Sequence, residues 1–193
     1  MVKSIAIVGG SSDIAKSTIS SMSADNYKFH VLVRDDSHTD ELSAKGVSVV
    51  LGDATSEEDI KNFISGVKES GEIHAILHCV GSFAVRPPHA MNKEAFEAVI
   101  STNLTSAFLT LSIAGKAMLS QGHGRMVFMS SVAGSLGLVN HEAISAAKGG
   151  IESMVRSAAA TYANRGLRIN AVAPGLTDTK LASPIMSNET ASQ

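Results

Sequence analysis

Three side chains that can donate or exchange a proton lie near one another in the chain: Ser131, His141 and Lys148. Ser131 is the second residue of a serine pair that follows a short apolar run, Met126 to Met129, and Lys148 comes after a glycine-rich loop. Hydroxyl and ammonium groups donate hydrogen bonds, and an imidazole titrates near neutral pH. Such groups can stabilise and protonate an oxygen atom that gains negative charge during a reaction. The spacing therefore favours a catalytic segment made of a strand, a loop and a helix.

A pair of glycines beginning at Gly9 separates an apolar run from a helical pattern. Without side chains, such a turn lets a pyrophosphate approach the backbone, and the helix N-terminus adds amide donors and a partial positive charge. A purely structural turn is the alternative. Asp13 is unfavourable there, because a carboxylate repels a diphosphate by ~1 kcal/mol at 4 Å in a water-like medium. The structural interpretation is that Asp13 caps the helix, with its side chain turned to the amides and away from the ligand. The residues expected to form this part of a dinucleotide site are Gly9, Ser11, Ser12 and Ile14.

Arg34 and Asp35 follow the second apolar run. At this strand end an arginine pairs with the 2′-phosphate of NADP, whereas an acidic residue accepts hydrogen bonds from the ribose hydroxyls of NAD. Arg34 falls on or beside the discriminating position, which favours NADP, with NAD as the alternative. A solvated Arg-Asp pair on a loop is the structural alternative.

Apolar runs alternate with helical patterns along the whole chain, which predicts parallel strands joined by right-handed crossovers. We expect an α/β fold with a doubly wound parallel sheet, a Rossmann fold, as one domain over residues 1–193. The predicted strands are Ser4–Val8, Phe29–Val33, Val47–Leu51, Ala75–Cys79, Arg125–Met129 and Arg168–Val172. The predicted helices are Asp13–Ser23, Asp40–Ala44, Glu57–Ser70, Lys93–Leu119 and Ala143–Ala163, with Ser56 and Asn92 as caps.

The segment Arg125–Gly150 resembles the active-site segment of the short-chain dehydrogenase/reductase family. The resemblance implies an oxidoreductase acting on a carbonyl or alcohol, in which Ser131 polarises the carbonyl and Lys148 binds the nicotinamide ribose. It also implies that Asn103 holds a helix irregularity and anchors water that leads to Lys148. The family has a proton-exchanging tyrosine four residues before the lysine, where this chain has Ile144.

The missing phenol leaves two interpretations open. The chain's only tyrosines, Tyr27 and Tyr162, are at other spacings. Either His141, or water held by Ser131 and Lys148, replaces the tyrosine, or His141 is merely an exposed first-turn residue. The alternative of another class is a non-catalytic nucleotide-binding protein with a regulatory or partner role.

Further matches to the family concern the cofactor. Gly9 matches the first glycine of its Gly-x-x-x-Gly-x-Gly turn, although Asp and Ala occupy the other two glycine positions. The resemblance implies an adenine clamp at Asp53 and Ala54, a turn at Gly81, and a nicotinamide carboxamide site at Thr179. The cofactor-binding residues implied in the second half of the chain are Gly81, Lys148, Pro174, Gly175 and Thr179.

Composition excludes several classes of protein. With 44% hydrophobic and 18% charged residues and a net charge of −2, the chain is typical of a soluble globular protein and is not basic enough to favour nucleic acid. We find no apolar run of the ~20 residues that a membrane span needs, and expect a cytoplasmic protein. The single cysteine, Cys79, predicts a buried inert thiol, and the seven scattered histidines predict no metal site.

The remaining expectations concern partners. Arg86, in a loop after the fourth strand, could hold a substrate carboxylate or phosphate. The resemblance implies a small-molecule substrate and a homodimer or homotetramer formed by the two long helices, with close packing at Ala146, Ala147, Gly149 and Gly150. Family members usually continue with a further helix and strand, so we expect the end of the family fold to be absent.

Overall fold

Six parallel strands form one sheet in the order β3-β2-β1-β4-β5-β6. The computed structural model describes residues 2–22 and 26–186. The strands are β1 (Lys3–Val8), β2 (Tyr27–Val33), β3 (Ser48–Leu51), β4 (Ile73–His78), β5 (Gly124–Met129) and β6 (Leu167–Val172). The strand order reverses between β1 and β4, which is the place where open α/β sheets bind ligands. The predicted doubly wound parallel sheet is confirmed.

Helices follow the strands, and all but the last, which was not predicted, lie in the predicted helical stretches. The predicted end of the first helix, Ser23, lies outside the described residues. The helices are α1 (Asp13–Ser21), α2 (Thr39–Ser43), α3 (Glu57–Glu69), α4 (Lys93–Ile100), α5 (Ser106–Gln121), α6 (Glu142–Tyr162) and α7 (Ser183–Met186). Both predicted caps are confirmed: Ser56 Oγ accepts the N–H of Asp59 at 3.2 Å, and Asn92 Oδ1 accepts that of Ala95 at 2.9 Å.

The predicted helix Lys93–Leu119 contains a π-helical turn, Ser101–Thr105, between α4 and α5. Three short 3₁₀ turns were also not predicted, because their one-turn length gives no periodic pattern: Pro88–Ala90, Val132–Gly134 and Ala163–Arg165.

Apolar side chains cover both faces of the sheet, as predicted for a parallel sheet. Ile7 and Val31 belong to a core cluster that includes residues of α1 and α2. Leu32 and Phe128 belong to the larger cluster on the other face, with residues of α3, α5 and α6. The two layers hold the strand ends in place, so the loops at the carboxyl edge can carry the polar residues.

The small residues of α6 pack within the chain. A Cβ built on Gly150 would lie 2.8 Å from Leu104 Cδ2, and one on Gly149 would lie 3.1 Å from the Gly134 carbonyl oxygen. Ala147 is fully buried, whereas Ala146 is exposed. Close packing between subunits stays a prediction for this set, while Gly149, Gly150 and Ala147 also serve the packing of α6 within the chain.

One helical stretch within the described part of the chain, Lys93–Gln121, is long and apolar enough to cross a membrane by length and composition alone. The sequence interpretation did not anticipate this. Core helices of soluble proteins pass the same test, and Leu111 and Met118 of this stretch are buried in the core cluster beside the sheet.

Candidate active site

A cleft of about 1090 Å³ lies at the carboxyl edge of the sheet, lined by the loops that follow all six strands. It brings together every residue predicted to contact a cofactor, together with Ser131 and His141. Asn103 is fully buried and does not line the cleft. The predicted residues in the lining are Gly9, Ser11, Ser12, Ile14, Arg34, Asp53, Ala54, Gly81, Ser131, His141, Lys148, Pro174, Gly175 and Thr179.

The turn after β1 requires glycine. Gly9 has a φ of +85°, and a Cβ there would lie 2.9 Å from both the backbone nitrogen and Cγ2 of Val80. A Cβ on Gly10 would lie 2.5 Å from Val31 Cβ. The N–H groups of Gly9 and Gly10 both donate to the Leu32 carbonyl at 3.0 Å. The chain is thus held tightly against β2 and the end of β4, which leaves open space above the turn.

Asp13 does not cap α1, contrary to the expectation from sequence. Ser12 is the cap, and its Oγ accepts the N–H of Ala15 at 3.2 Å. Asp13 is the first residue of the helix, and its Oδ2 accepts the backbone N–H of Lys180 at 2.7 Å. Its Oδ1 lies 3.8 Å from Lys16 Nζ. The carboxylate therefore bridges α1 and the segment after β6.

The side chain of Asp35 is hydrogen-bonded within the protein, whereas that of Arg34 is not. Asp35 Oδ1 accepts the N–H of Ser37 at 3.2 Å and also the Ser37 hydroxyl, and these bonds lower the pKa of Asp35. The Arg34 guanidinium lines the cleft and makes no hydrogen bond or ion pair with any residue in the described ranges. Its donors are therefore available to a ligand, whereas one Asp35 oxygen is committed to a turn.

Asp53 is fixed from two sides. Its Oδ1 accepts the N–H and the hydroxyl of Thr55, both at 2.8 Å, and these bonds, with a smaller contribution from the charge of Arg34, lower the pKa of Asp53. Its own N–H donates to Asp59 Oδ2 at 2.7 Å. Sequence reasoning missed this support that Asp59, in the first turn of α3, gives to the proposed adenine clamp.

Lys148 is 7% exposed, and its Nζ donates to the Met129 carbonyl at 2.8 Å. Burial lowers the pKa of Lys148 to about 8. A Cβ on Gly81 would lie 3.5 Å from Lys148 Nζ and 3.3 Å from Asn103 Oδ1. The ammonium, the amide and the Gly81 turn therefore meet in one place.

Asn103 joins the π-helical turn to the loop after β4. Its Nδ2 donates to Val99 O and to Ser82 Oγ, both at 2.9 Å, and its Oδ1 accepts the N–H of Ser82 at 3.2 Å. The irregular helix at Ser101–Thr105 gives this buried side chain its position. π-Turns inside helices often occur at functional sites.

Ser131 begins the turn that follows β5. Its Oγ accepts the N–H of Ala133 at 3.2 Å, which leaves the hydroxyl hydrogen for another acceptor. The N–H of Val132 donates to the Pro174 carbonyl at 3.0 Å, so this turn is tied to the turn after β6.

Glu152 supports the Ser131 turn and was missed by sequence reasoning. Ser130 Oγ donates to Glu152 Oε1 and Ser135 Oγ to Oε2, each at 2.8 Å, and these bonds lower the pKa of Glu152. Glu152 comes four residues after Lys148, so the i, i+4 spacing on one helix face was the available signal.

A family model described as "short chain dehydrogenase" matches residues 3–190. The chain belongs to this family. The 3-oxoacyl-[acyl-carrier-protein] reductase MabA of Mycobacterium bovis is 31% identical over 180 residues, which cover 93% of this chain and 71% of that protein. The cis-4-hydroxycyclohexanecarboxylate dehydrogenase of Sinomonas cyclohexanicum is 36% identical over 134 residues, covering 68% of this chain and 54% of that protein. Levodione reductase, a solved structure, has a TM-score of 0.90 at 26% identity, covering 96% of this chain and 76% of that chain.

Short-chain dehydrogenases are oxidoreductases, and in this member position 144 carries no polar group. Ile144 lines the cleft, is 7% exposed and belongs to a small apolar cluster with Val99 and Ala147. An alkyl side chain can neither donate nor accept a proton. Any proton exchange in this cleft therefore has to use another group.

His141 is the titratable side chain at the start of α6 that lines the cleft. Its Nδ1 lies 2.7 Å from the Val139 carbonyl oxygen, and because a carbonyl only accepts, Nδ1 carries the hydrogen. Nε2 is then the ring atom left to exchange a proton with a ligand in the cleft. Glu142, the next residue along the helix, lines a separate groove.

Arg86 lies outside the main cleft. It lines a neighbouring groove of about 290 Å³ together with Lys93, Phe96 and Glu142. Its backbone N–H donates to the Asn140 carbonyl at 2.8 Å, which ties this loop to the turn before α6. That Arg86 holds a substrate carboxylate or phosphate stays a prediction, placed at this groove and not at the main cleft.

His78 and Cys79 fill space beneath the cleft. His78 is fully buried between Thr110 Oγ1 at 3.0 Å and Ser106 Oγ at 3.2 Å, and burial, with the charge of Lys148, lowers the pKa of His78 to about 3. Burial raises the pKa of the Cys79 thiol to about 11. Both are uncharged near neutral pH, as expected for satisfied structural residues. Among the described residues, no group of three or more potential ligands could hold a metal ion.

Proposed function

We propose that the chain binds NADP(H) across its cleft and catalyses hydride transfer between the nicotinamide and a carbonyl or alcohol substrate. The observation that carries this proposal is that Ser131 and the buried Lys148 open onto the same cleft as the glycine turn and the Arg34 loop. A binding protein with no reaction to catalyse has no need of a buried ammonium at the nicotinamide end.

The residues present fit a dinucleotide. At Gly9 a Cβ would collide with the loop after β4, so the turn presents backbone only, beside the N-terminus of α1. Asp53 and Ala54 would hold the adenine at one end, and Pro174, Gly175 and Thr179 the nicotinamide at the other. Arg34, whose guanidinium has no protein partner among the described residues, supports NADP over NAD. Actinorhodin polyketide ketoreductase, a solved structure that contains NADPH, is 25% identical with a TM-score of 0.89.

The bound nicotinamide would supply or accept the hydride. Ser131 would donate its hydroxyl hydrogen to the substrate oxygen and stabilise the charge that forms there. Lys148 would bind the nicotinamide ribose through its ammonium group. The same group would also keep positive charge near the reacting oxygen. Asn103 would hold Gly81 and Ser82 in place behind that ammonium.

His141 Nε2, or a water molecule held by Ser131 and Lys148, would exchange the proton in place of the missing phenol. With Nδ1–H directed at Val139 O, the neutral ring has its lone pair on Nε2 and the cation has a proton there. In the reducing direction the cation gives this proton to the substrate oxygen, and in the oxidising direction the neutral ring takes it back.

The test is a fluorescence titration with NADPH followed by a screen of carbonyl substrates. Binding followed by NADPH oxidation supports the proposal. A wild-type protein that fails to bind NADPH or NADH would contradict it.

A non-catalytic nucleotide-binding role is the second candidate, and Ile144 is the observation that favours it. The two candidates differ in the response to Ile144→Tyr, which places a phenol four residues before Lys148. If the rest of the site is competent, this variant turns over faster than the wild type. NADPH binding without turnover in both proteins selects the non-catalytic role.

We further propose one domain over residues 1–193, a soluble cytoplasmic protein, and a small-molecule substrate. We also propose a homodimer or homotetramer that uses the exposed faces of α5 and α6. Phe108, on α5, is 55% exposed and supports this interface. Sedimentation of the purified protein would test the assembly.

A further inference from the structure

Asp13 connects two distant parts of the cleft. Its Oδ2 accepts the backbone N–H of Lys180 at 2.7 Å, across 167 positions of sequence. Family resemblance places a glycine at position 13, so this carboxylate is a particular feature of this chain. Thr179, proposed to contact the nicotinamide, directly precedes the residue that Asp13 holds.

Segment 176–182 depends on this contact. Its other hydrogen bonds are local: Thr179 Oγ1 donates to Thr177 O at 3.3 Å, and the N–H of Ala182 donates to Thr179 O at 3.0 Å. Among the described residues, the Asp13 carboxylate is the one hydrogen-bonding group outside the carboxyl-terminal end of the chain that holds this segment. The position of Thr179 over the cleft therefore depends on α1.

We propose that Asp13 is a positioning residue: its carboxylate holds the Thr179–Lys180 backbone so that Thr179 meets the nicotinamide end of the cofactor. This inference rests on the proposed NADP(H) binding. It assigns a favourable role to a charge that would otherwise oppose the cofactor.

The Asp13 carboxylate could instead weaken cofactor binding, because it repels the cofactor diphosphate. Two features of the structure reduce this repulsion. Lys16 Nζ lies 3.8 Å from Asp13 Oδ1 and 3.7 Å from Glu41 Oε2, and Lys180 lines the same cleft. Positioning and repulsion predict opposite changes in affinity when the carboxylate is removed, so an experiment can separate them.

The experiment compares the wild type with Asp13→Ala, Asp13→Asn and the control Lys16→Met. Hydrogen exchange at the Lys180 amide is measured in the free protein, and binding of NADPH and of adenosine 2′,5′-bisphosphate is measured by titration. The bisphosphate lacks the nicotinamide, so its binding does not depend on the position of Thr179.

In Asp13→Ala we expect the Lys180 amide to exchange about tenfold faster and NADPH to bind about tenfold more weakly, the effect of losing one charge-assisted hydrogen bond. Bisphosphate affinity stays at the wild-type value. Asp13→Asn keeps an acceptor oxygen, so its Lys180 exchange rate and its NADPH affinity fall between those of the wild type and Asp13→Ala. In Lys16→Met the Lys180 amide exchanges at the wild-type rate.

Unchanged exchange at Lys180 in Asp13→Ala overturns the proposal. Unchanged or tighter NADPH binding overturns it as well, and tighter binding of both ligands identifies repulsion as the main effect. A wild-type protein that binds the bisphosphate and NADPH equally poorly overturns the proposed function itself, and the role of Asp13 with it.

Discussion

The buried ammonium group of Lys148 donates a hydrogen bond to the backbone carbonyl of Met129, 2.8 Å away at the end of β5. The bond ties the middle of α6 to the strand that delivers Ser131. Together with the hydrogen bond that Ser130 Oγ donates to the Lys148 carbonyl at 3.1 Å, it fixes the relative position of the two residues on which the proposed chemistry depends.

Cofactor binding should weaken as Lys148 loses its proton. Burial lowers the pKa of Lys148 to about 8 from the ordinary 10.5, so the ammonium proposed to bind the ribose is lost as the pH rises through that value. We expect NADPH affinity to fall between about pH 7 and pH 9.5, and Lys148→Met to bind weakly with a flat profile over that range. A flat wild-type profile would contradict the assigned role.

Rising pH, which weakens NADPH binding through Lys148, increases the contribution of Lys148 to the stability of the fold. Between pH 8 and 10.5 the unfolded chain still holds a proton that the native protein has released, so the free energy of unfolding gains from this group as the pH rises. Below pH 8 both states are protonated and the full desolvation cost is present. Denaturant unfolding of wild type and Lys148→Met across this window checks the sign.

Gly81→Ala should impair the site. The added Cβ would lie 3.3 Å from Asn103 Oδ1 and 3.5 Å from Lys148 Nζ, so at least one of these polar atoms has to shift. We expect the free energy of unfolding to drop by ~1 kcal/mol and NADPH to bind about tenfold more weakly. The matched control is Gly66→Ala in α3, where a Cβ meets nothing within 4 Å and helix propensity should raise stability by ~0.5–1 kcal/mol. Equal behaviour of the two variants would argue against a tight contact at Gly81.

His141→Ala should slow turnover by ~10²–10⁴-fold while NADPH binding stays near the wild-type value, because the imidazole exchanges a proton and does not hold the cofactor. Glu142→Ala is the control, since Glu142 neighbours His141 but lines the separate groove. Steady-state kinetics on any substrate found in the screen checks this. Unchanged turnover in His141→Ala would leave bound water as the proton source.

Glu152→Ala should destabilise the turn that carries Ser131. Ser135 loses its acceptor, and the buried Ser130 keeps only the Lys148 carbonyl oxygen, 3.1 Å away, so we expect a loss of ~1–1.5 kcal/mol in the free energy of unfolding. The Glu152 pKa is lowered in the folded protein, so this contribution is present above the ordinary glutamate pKa and disappears as the pH falls through the folded value. Glu57→Ala, which removes only the exposed ion pair with Lys61, should change stability by less than ~1 kcal/mol. A similarly small change in the free energy of unfolding in both variants would count against a stabilising role of Glu152 in the Ser131 turn.

The parts of the molecule that could be predicted are those with local signals. Apolar runs gave the strand positions, and Asn92 and Ser56 marked helix starts because their cap bonds reach only three residues. The contacts that were missed connect distant parts of the chain. Nothing near Asp13 in sequence indicates that its partner is the amide of Lys180, and nothing near Arg86 indicates that it lines the neighbouring groove.

The most direct test of hydride transfer follows a label. Wild-type protein is incubated with a ketone from the screen and with NADPH in which both hydrogens at the nicotinamide C4 are replaced by deuterium, and the product alcohol is analysed by mass spectrometry. The account predicts one deuterium on the carbinol carbon for each NADPH oxidised, and loss of this transfer in Lys148→Met. Saturable NADPH binding with no deuterated alcohol from any ketone would contradict it.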